Sequence, residues 1–427
     1  MSGQTVQNFE NLAPSSSQKF TQRVLPFGIM ALVLVLLPAL GPSRTMYSLM
    51  NAMGINIVFA LSYNMLLGRG GLLSFGHAVY FGLGGYAAVH AMGWIEDAAY
   101  GDGGFWAGYP VFFLPVIGFA GGALAGAVIG WPSCRRAGTP FAMISLGVAE
   151  LIAAAGFMFG SIFGGEEGIS GDRMNGPEMF GLSLGPINEV YWFIAFWTFV
   201  GAVGTFAFTR TPLGKMSEAT RDNPERVEFV GYDPQRVRYL VFIFSGGFAG
   251  LAGGMAAVNY EIFTPEALSL IPSGMVLLMA YIGGVRYFAG PILGAVVLTY
   301  MQSMLSDYSE AWLLYLGILF MAIVMFAPGG LAGIVAGLLN GVRSDDRSEL
   351  MSKWAIYTAG CAAMLLGVII LVEVAVRWSA GYGEVFEPFG MHLPTASVLT
   401  WALILIPLLG GAALLRHAFN RSKEGHA

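Results

Sequence analysis

The stretch RTPLGKMSEATRDNPERVEFVGYDPQRVR, residues Arg210–Arg238, is the longest polar and charge-dense interval between two strongly apolar segments of this chain. The apolar segments are Tyr191–Phe208 before it and Tyr239–Val258 after it. Six of its residues are basic: Arg210, Lys215, Arg221, Arg226, Arg236 and Arg238. Because cytoplasmic loops of membrane proteins carry an excess of Lys and Arg, the charges predict that this stretch lies on the cytoplasmic side of a membrane.

The second half of this stretch has the signals of a short helix. Asn223 is a favourable helix cap, Pro224 suits the first helical position, and Glu225 complements the helix dipole. Gly231 suits the position that follows the last turn. We therefore expect a helix over Pro224–Val230, between two spans, where a cytoplasmic partner can bind it. On charge alone, an ordered and solvated loop that only sets the topology is an equal alternative.

The composition is that of a polytopic membrane protein. Of 427 residues, 56% are hydrophobic and 11% are charged, and the mean hydropathy is +0.66. Soluble domains carry about 25% charged residues. The net charge is -5 and the basic residues form no continuous stripe, so nucleic-acid binding is excluded.

Metal and disulfide chemistry have little support in the sequence. The two cysteines, Cys134 in a predicted cytoplasmic loop and Cys361 in a predicted span, provide neither a disulfide framework nor a four-ligand metal site. Five histidines lie far apart and show no HExxH spacing: His77, His90, His392, His417 and His426. We see no catalytic cluster near one membrane face, so we expect no enzyme, no metal and no cofactor.

About 20 apolar residues cross a bilayer core, and on that length the sequence predicts an all-α bundle of about ten core spans and two extra C-terminal ones. Residues 1–23 are polar and are predicted to be a disordered cytoplasmic tail, unlike a cleavable signal peptide. Residues 24–340 are predicted to form the transmembrane domain, and 341–427 a cytoplasmic linker and an additional helical hairpin. The predicted spans are 24–40, 47–67, 73–93, 109–131, 141–161, 190–209, 239–258, 271–285, 289–305, 311–327, 355–377 and 396–415.

The distribution of basic residues supports this span count. With a cytoplasmic N-terminus, all but three of the 21 basic residues fall in inside loops and tails. The three outside are Arg44, Arg173 and Arg377. A wrong span count would scramble this separation, so we expect both termini to be cytoplasmic.

Two further patterns concern packing and the outer face. Glycines recur every four residues in two spans and allow close helix approach in lipid: Gly118, Gly122, Gly126 and Gly130, and Gly246, Gly250 and Gly254. Two predicted outer loops, Ala91–Gly108 and Phe163–Glu189, are acidic. They are either ordinary solvated loops or a docking face for a periplasmic partner, since complementary charge steers such encounters.

The chain lacks a Walker A loop, GxxxxGK[ST]. Only one of its four lysines, Lys215, follows a glycine, and the next residue is Met216. The chain therefore cannot bind ATP by that route. If transport is driven by ATP, the ATPase is a separate subunit. A cytoplasmic helix between spans is the element that it would bind.

Several separate blocks resemble one permease family. They are NMLLGRGGLLSFGHAVYFGLGGYAAVHAM (Asn64–Met92), PFAMISLGVAELI (Pro140–Ile152), the loop and span at 210–256, GPILGAVVLTYMQSML (Gly290–Leu305) and FAPGGLAGIV (Phe326–Val335). In this order, over about residues 45–340, the chain resembles the LivM-type permeases, which are subunits of branched-chain amino acid ABC importers. Residues 350–427 depart from the usual pattern of that family.

The resemblance implies a multi-pass permease of the bacterial inner membrane, surrounded by membrane lipid, for branched-chain or related small hydrophobic amino acids. It implies a LivH-like second permease subunit, two cytoplasmic ATPase subunits and a periplasmic substrate-binding protein as partners. A urea or short-amide importer is an alternative, and His77 within LLSFGHA favours the amino-acid branch.

The resemblance also implies that Glu225–Gly231 matches the coupling loop of ABC permeases, although Val227 and Glu228 stand where small residues are common. The residues expected to couple the chain to the ATPase are Asn223, Pro224, Glu225, Arg226, Val227, Glu228, Phe229, Val230 and Gly231.

Polar residues inside the predicted spans are candidates for a translocation path. Glu150 is the only acidic residue near the middle of a span, and such costly residues usually have a function. It either lines the path or takes up protons, as in a proton-coupled secondary transporter. The alternative is a glutamate that is hydrogen-bonded to a neighbouring helix or lies near the interface.

Other candidates lie around a glycine-broken helix end. Ser74 and His77 follow Gly68–Gly71, and such helix ends can expose backbone dipoles to a polar substrate; a structural histidine is the alternative for His77. Asn56, Tyr63 and Asn64 either line the path or hold helices together. The candidate path residues are therefore Asn56, Tyr63, Asn64, Ser74, His77 and Glu150.

Overall fold

The computed structural model describes residues 16–308 except 42 and 102–103, residues 312–341 except 328, and short stretches between 360 and 413. Within these ranges the chain is almost entirely helical, so the all-α prediction is confirmed. The described residues form two compact units that divide between Thr299 and Tyr300. This division precedes the domain boundary predicted at residue 340, which stays a prediction.

The first part of the chain contains helices α1 (Ser16–Leu36), α2 (Arg44–Asn64), α3 (Ala78–Tyr100), α4 (Leu114–Ser133), α5 (Thr139–Met158), α6 (Gly160–Phe163) and α7 (Ile187–Arg210). Helix α2 continues into a π-helical turn, Met65–Arg69.

Helix α1 begins at Ser16, inside the segment 1–23 that we predicted to be a disordered tail. Gln18, Lys19 and Arg23 are good helix formers, so polarity alone was a poor guide there; residues 1–15 lie outside the described residues.

The second part contains α8 (Pro212–Asp222), α9 (Pro224–Phe229), α10 (Pro234–Tyr260), α11 (Leu270–Gly283), α12 (Gly290–Tyr308), α13 (Trp312–Phe326) and α14 (Gly330–Gly341). Four two-residue strands form two antiparallel pairs, β1 (Ile169–Ser170) with β2 (Ile262–Phe263), and β3 (Val385–Phe386) with β4 (Leu393–Pro394). In the second unit Ile370 and Val374 share a buried cluster with Ile404. Most of the predicted linker and C-terminal hairpin lies outside the described residues.

Five described helical segments are long and apolar enough to cross a membrane: Arg44–Arg69, Val111–Ser133, Thr139–Met158, Ile187–Arg210 and Pro234–Tyr260. The pair Trp312–Met325 and Gly330–Gly337, bent by 53°, would be a sixth as one broken span. Shorter apolar helices lie at Pro26–Ala39, Leu270–Gly283, Gly290–Ser306 and Trp401–Gly411. The described part of the chain is thus a polytopic bundle, and the total of twelve spans stays a prediction.

Both acidic segments that we predicted to be outer loops are more ordered than free loops. Helix α3 extends to Tyr100 and takes Glu96 into its last turns, because nothing between Trp94 and Tyr100 breaks a helix. The loop after α6 is tied to the end of α10 by the β1–β2 pairing and by Arg173. The Arg173 guanidinium donates to carbonyl oxygens at the α10 end, including Asn259 at 3.1 Å, and lies 3.5 Å from the Glu261 carboxylate. Cations are favourable at a helix C-terminus.

Helix α10 is the centre of the first unit, and it packs against α3 and α4 through glycines. A methyl group added at Gly250 would lie 2.8 Å from the Gly122 Cα and would collide with the Gly118 carbonyl oxygen. A methyl group at Gly84 on α3 would likewise collide with the Gly250 Cα. The predicted glycine seams are therefore confirmed as points where backbones touch.

We expect Gly250→Ala to destabilise the bundle. Overpacking of a tightly packed interior costs about 1–3 kcal/mol, and here the obstacles are backbone atoms, which cannot rotate away. Thermal unfolding of the detergent-solubilised protein measures the effect as a lowered melting temperature. Gly93→Ala is the matched control, since a methyl group at Gly93 in α3 meets nothing within 4 Å. Equal melting temperatures of the two variants would contradict the expectation.

Cys134 directly follows the last residue of α4 and is buried. Burial raises the pKa of its thiol to about 12, and the nearby Arg238 guanidinium offsets only part of that rise. Because the thiolate is the reactive form, the raised pKa makes the thiol unreactive at neutral pH. We expect Cys134 to resist maleimide at pH 7 in a Cys361→Ser background, with labelling read by mass spectrometry, and to react once the protein is unfolded. Rapid labelling of the folded protein would be inconsistent with this burial.

Candidate functional site

The charge-dense stretch between α7 and α10 forms two short helices, of which the sequence analysis predicted only the second. Helix α8 begins after Thr211, whose hydroxyl accepts a hydrogen bond from the Gly214 N–H at 3.1 Å, and Pro212 occupies its first turn. A threonine cap followed by proline is a helix start signal. Our interpretation of residues 210–222 as loop missed this signal.

Helix α9 has the ends that the sequence predicts. The Arg226 N–H donates to the Asn223 side-chain oxygen at 3.1 Å, which caps the first turn. Gly231 has φ +90°, and the N–H of Tyr232 donates to the Val227 carbonyl at 3.1 Å. This is a Schellman ending, in which a left-handed glycine closes the helix. The helix is confirmed at Pro224–Phe229; its role in coupling stays a prediction.

The two faces of α9 differ sharply in exposure. Val227 is 2% exposed and anchors the helix, whereas Phe229 is 90% and Val230 is 69% exposed. Tyr232, 46% exposed, continues the same surface. We call Phe229, Val230 and Tyr232 the α9 tip. Contiguous exposed apolar side chains with polar surroundings mark a surface for protein interaction.

Helix α8 connects the α9 tip to the membrane helices. Leu213 and Met216 of α8 pack against a buried cluster that comprises Met65, Phe208, Val237 and Val241. These four residues come from the π-helical turn, α7 and α10. A displacement of α8 and α9 would therefore be transmitted directly to three membrane helices, α2, α7 and α10.

A network of charges surrounds α8. Glu218 forms ion pairs with Arg69 and with Lys215, the latter at 3.0 Å. The Arg221 guanidinium donates to the Gly68 carbonyl and to the Asp222 carboxylate, the latter at 2.8 Å. The Arg69–Glu218 and Arg221–Gly68 contacts fix α8 to the end of α2, and no sequence pattern indicates them, because the partners are about 150 residues apart in the chain.

Three of the predicted path residues lie together in the interior. The Tyr63 hydroxyl donates to the Ser74 carbonyl at 3.0 Å, and His77 Nε2 lies 2.9 Å from the Ser62 hydroxyl. The His77 ring, 1% exposed, stacks on Phe59 with 5.7 Å between ring centroids. Within the described residues His77 Nδ1 has no hydrogen-bond partner. This arrangement suits a packed core, and a path role for these residues stays a prediction.

The two predicted asparagines lie elsewhere on α2. The Asn56 amide donates to the Thr299 hydroxyl at 2.9 Å, which joins α2 to α12. Asn64 is buried, and its side-chain oxygen has no partner within the described residues. The Asn51 amide donates to the Asn259 side chain at 2.9 Å and joins α2 to α10. The bonds of Asn56 and Asn51 hold helices together, which was one of the two alternatives.

We call Tyr63, Ser74 and His77 the His77 cluster. Glu150 is on the face of α5 that points away from this cluster. The inner face packs on residues 75–76, where the Ser145 hydroxyl accepts from the Phe75 N–H at 3.1 Å. Glu150 is exposed near the middle of α5, and its carboxylate has no partner within the described residues. We name the exposed face the Glu150 stripe: it consists of Met143, Leu146, Gly147, Glu150, Leu151, Ala154, Phe157 and Met158.

Comparison with known proteins identifies relatives over most of the chain. Residues 45–328 match the family described as branched-chain amino acid transport system / permease component. The chain is 27% identical over 298 residues to the high-affinity branched-chain amino acid transport system permease protein LivM of Escherichia coli K12, covering 65% of this chain and 67% of that protein. The corresponding Salmonella typhimurium LivM is 28% identical over 300 residues, with the same coverage.

A second type of permease is also similar. The LivH permease protein of Escherichia coli K12 is 22% identical over 266 residues, which covers 59% of this chain and 82% of LivH. No solved structure matches the chain significantly. The blocks quoted from the sequence lie almost entirely within the matched range.

Proposed function

The chain belongs to the branched-chain amino acid transport system permease family, and we propose that it is the translocating subunit of an ABC importer for branched-chain or related small hydrophobic amino acids. The protein would reside in the bacterial inner membrane, with both termini in the cytoplasm. The importer would contain a LivH-like second permease, two cytoplasmic ATPases and a periplasmic binding protein. Similarity to LivM and LivH supports this composition.

The α9 tip is the observation that carries the proposal. If transport is driven by ATP, a chain without a Walker A loop needs a separate ATPase. The tip offers that ATPase an aromatic anchor, Phe229, on a helix whose base is buried through Val227. Aromatic residues that fill a partner's pocket supply most of the binding energy of an interface. The confirmed helix ends hold this anchor in one orientation.

The transport step follows from the connections of α8 and α9. Closure of the ATPase dimer would move the α9 tip, and α8 would carry the motion into α7 and α10, which join it directly in sequence. Rigid movement of such elements against a packed bundle is a known way to alternate access. The chain itself performs no covalent step.

The second permease is proposed to cover the Glu150 stripe. A carboxylate near the centre of a membrane helix costs at least about 2.5–3.5 kcal/mol when it faces lipid. We therefore expect a protein partner or water, and not lipid, to contact the Glu150 carboxylate on the uncovered side of α5. Gly147 and Ala154, on either side of Glu150, leave room for a second helix or for a substrate.

The test is purification of the full chain with its associated proteins from detergent-solubilised membranes, followed by reconstitution. We expect an ATPase and a second permease to co-purify, and leucine uptake to require ATP and to persist in a protonophore. A chain that purifies alone, with uptake that a protonophore abolishes, would overturn the importer in favour of a proton-coupled transporter.

A further inference from the structure

An open cavity of about 620 Å³ lies beside α8, apart from the α9 tip and the Glu150 stripe. Its volume is within the about 300–1,000 Å³ of ligand pockets. Three segments that are distant in sequence line it: the end of the π-helical turn, the second half of α8, and the turn between α11 and α12. The lining residues are Gly68, Arg69, Glu218, Arg221, Asp222 and Arg286.

The charges in this cavity do not balance. Arg69 is paired with Glu218, and Arg221 is paired with Asp222. Glu218 is shared with Lys215, so its single charge faces two cations. Arg286 is exposed, and within the described residues it has no ion-pair partner. The cavity therefore presents an excess of positive charge and, in Arg286, a guanidinium that is free to bind an anion.

Nearby aromatic rings place the cavity at the level of the membrane surface. Phe206 of α7 contacts Phe27 and Phe288, with ring centroids 4.8 and 5.1 Å apart. Phe288 is two residues from Arg286 in the same turn, and the Arg210 guanidinium lies 4.9 Å from the Phe206 ring centroid. Tyr287, which follows Arg286 in this turn, is 42% exposed. Tyrosine is enriched at the boundary between hydrocarbon and headgroups, so Tyr287 places the turn at that level.

We propose that this cavity binds a phosphate group, and that its source is the headgroup of an anionic phospholipid of the cytoplasmic leaflet. Arginine is suited to this group because its planar guanidinium donates two parallel hydrogen bonds to phosphate oxygens. Basic pockets between membrane helices on the cytoplasmic side bind anionic headgroups. The acyl chains would lie along the Phe27, Phe206 and Phe288 rings.

A bound headgroup would join two elements that are far apart in the sequence. Arg286 belongs to the turn before α12, whereas Arg221 belongs to α8, which precedes the ATPase-facing helix. A phosphate held by both would brace α8 against the membrane helices. The cavity would thus make the position of the α9 tip depend on the lipid composition.

The experiment uses the full chain purified in detergent with its associated subunits. It is titrated with short-chain phosphatidylglycerol, with short-chain phosphatidylcholine and with inorganic phosphate, and native mass spectrometry counts the bound molecules. Two variants are compared, Arg286→Gln and Arg136→Gln. Arg136 is an exposed arginine in the turn between α4 and α5, outside the cavity, and its replacement changes the charge equally.

We expect phosphatidylglycerol to bind and phosphatidylcholine, whose headgroup has no net charge, to bind much more weakly. Arg286→Gln should weaken binding about tenfold, the loss expected for one charge-assisted hydrogen bond, and Arg136→Gln should leave it unchanged. Phosphate that binds as well as the lipid would support the site but assign it to a soluble source. Equal lipid affinity of the two variants, or no binding at all, would overturn the proposal. Uptake is not measured, so the result is independent of the transported substrate.

Discussion

Phe229→Asp is expected to separate the chain from the proposed ATPase subunit and to abolish uptake. Phe229 is 90% exposed, so the change breaks no packing within the chain and leaves the Asn223 cap and the Gly231 ending intact. In the complex it would place a carboxylate where an aromatic ring fills an apolar pocket. Loss of such an anchor costs about 2 kcal/mol or more, which is a roughly thirtyfold loss of affinity.

The measurement is the amount of ATPase that co-purifies with the affinity-tagged chain, together with ATP-dependent leucine uptake in proteoliposomes. Phe105→Asp is the control, because Phe105 is 77% exposed but precedes α4, on the predicted outer side. That variant should retain the ATPase. If Phe229→Asp retained both the ATPase and uptake, the α9 tip would not be the coupling surface.

Glu150→Gln is expected to lower uptake about tenfold while the ATPase and the second permease remain bound. If the Glu150 carboxylate binds the ammonium group of the passing amino acid, the amide removes a charge-assisted hydrogen bond worth about 1.5–3 kcal/mol. Glutamine has nearly the same shape, so the contact with the second permease is preserved. Since Glu150 has no partner within the described residues, no internal ion pair is lost.

For this variant we would measure uptake, co-purification of the second permease, and the effect of a protonophore on uptake. Leu151→Ala, on the same stripe, is the control for a general change of surface. Loss of the second permease with Glu150→Gln would indicate that the carboxylate holds the interface. Uptake equal to that of the unaltered protein would exclude both the path and the proton roles of Glu150.

The Glu150 stripe and the His77 cluster show why the six predicted path residues do not form one site. Helix α5 separates them, with Ser145 and Ala149 facing inward to residues 75–76 and Glu150 facing outward. The sequence identified each polar residue inside an apolar segment, but it could not tell on which side of the helix each lay. Only the packing of α5 against the segment before α3 sets that direction.

The sequence by itself determined the features that depend on neighbouring residues. The Asn223 cap, the Gly231 ending and the glycine spacing of α4 and α10 follow from local backbone preference and from side-chain size, and the structure has them as predicted. The class of fold followed from composition, because apolar segments of this length are stable in a bilayer only as helices. The order of the blocks that resemble the LivM-type permeases was sufficient to indicate the family, which the comparison confirms.

Tertiary structure alone decided which residues are uncovered and which distant charges meet. The exposure of Phe229 and Glu150, the pairing of Arg69 with Glu218, and the cavity beside Arg286 depend on contacts between segments far apart in sequence. Local pattern carries no record of such contacts, since a helix of given periodicity can turn any face inward until its neighbours are in place. For this protein, helix ends and fold class are local properties, whereas the surfaces for partners and ligands are properties of the packed bundle.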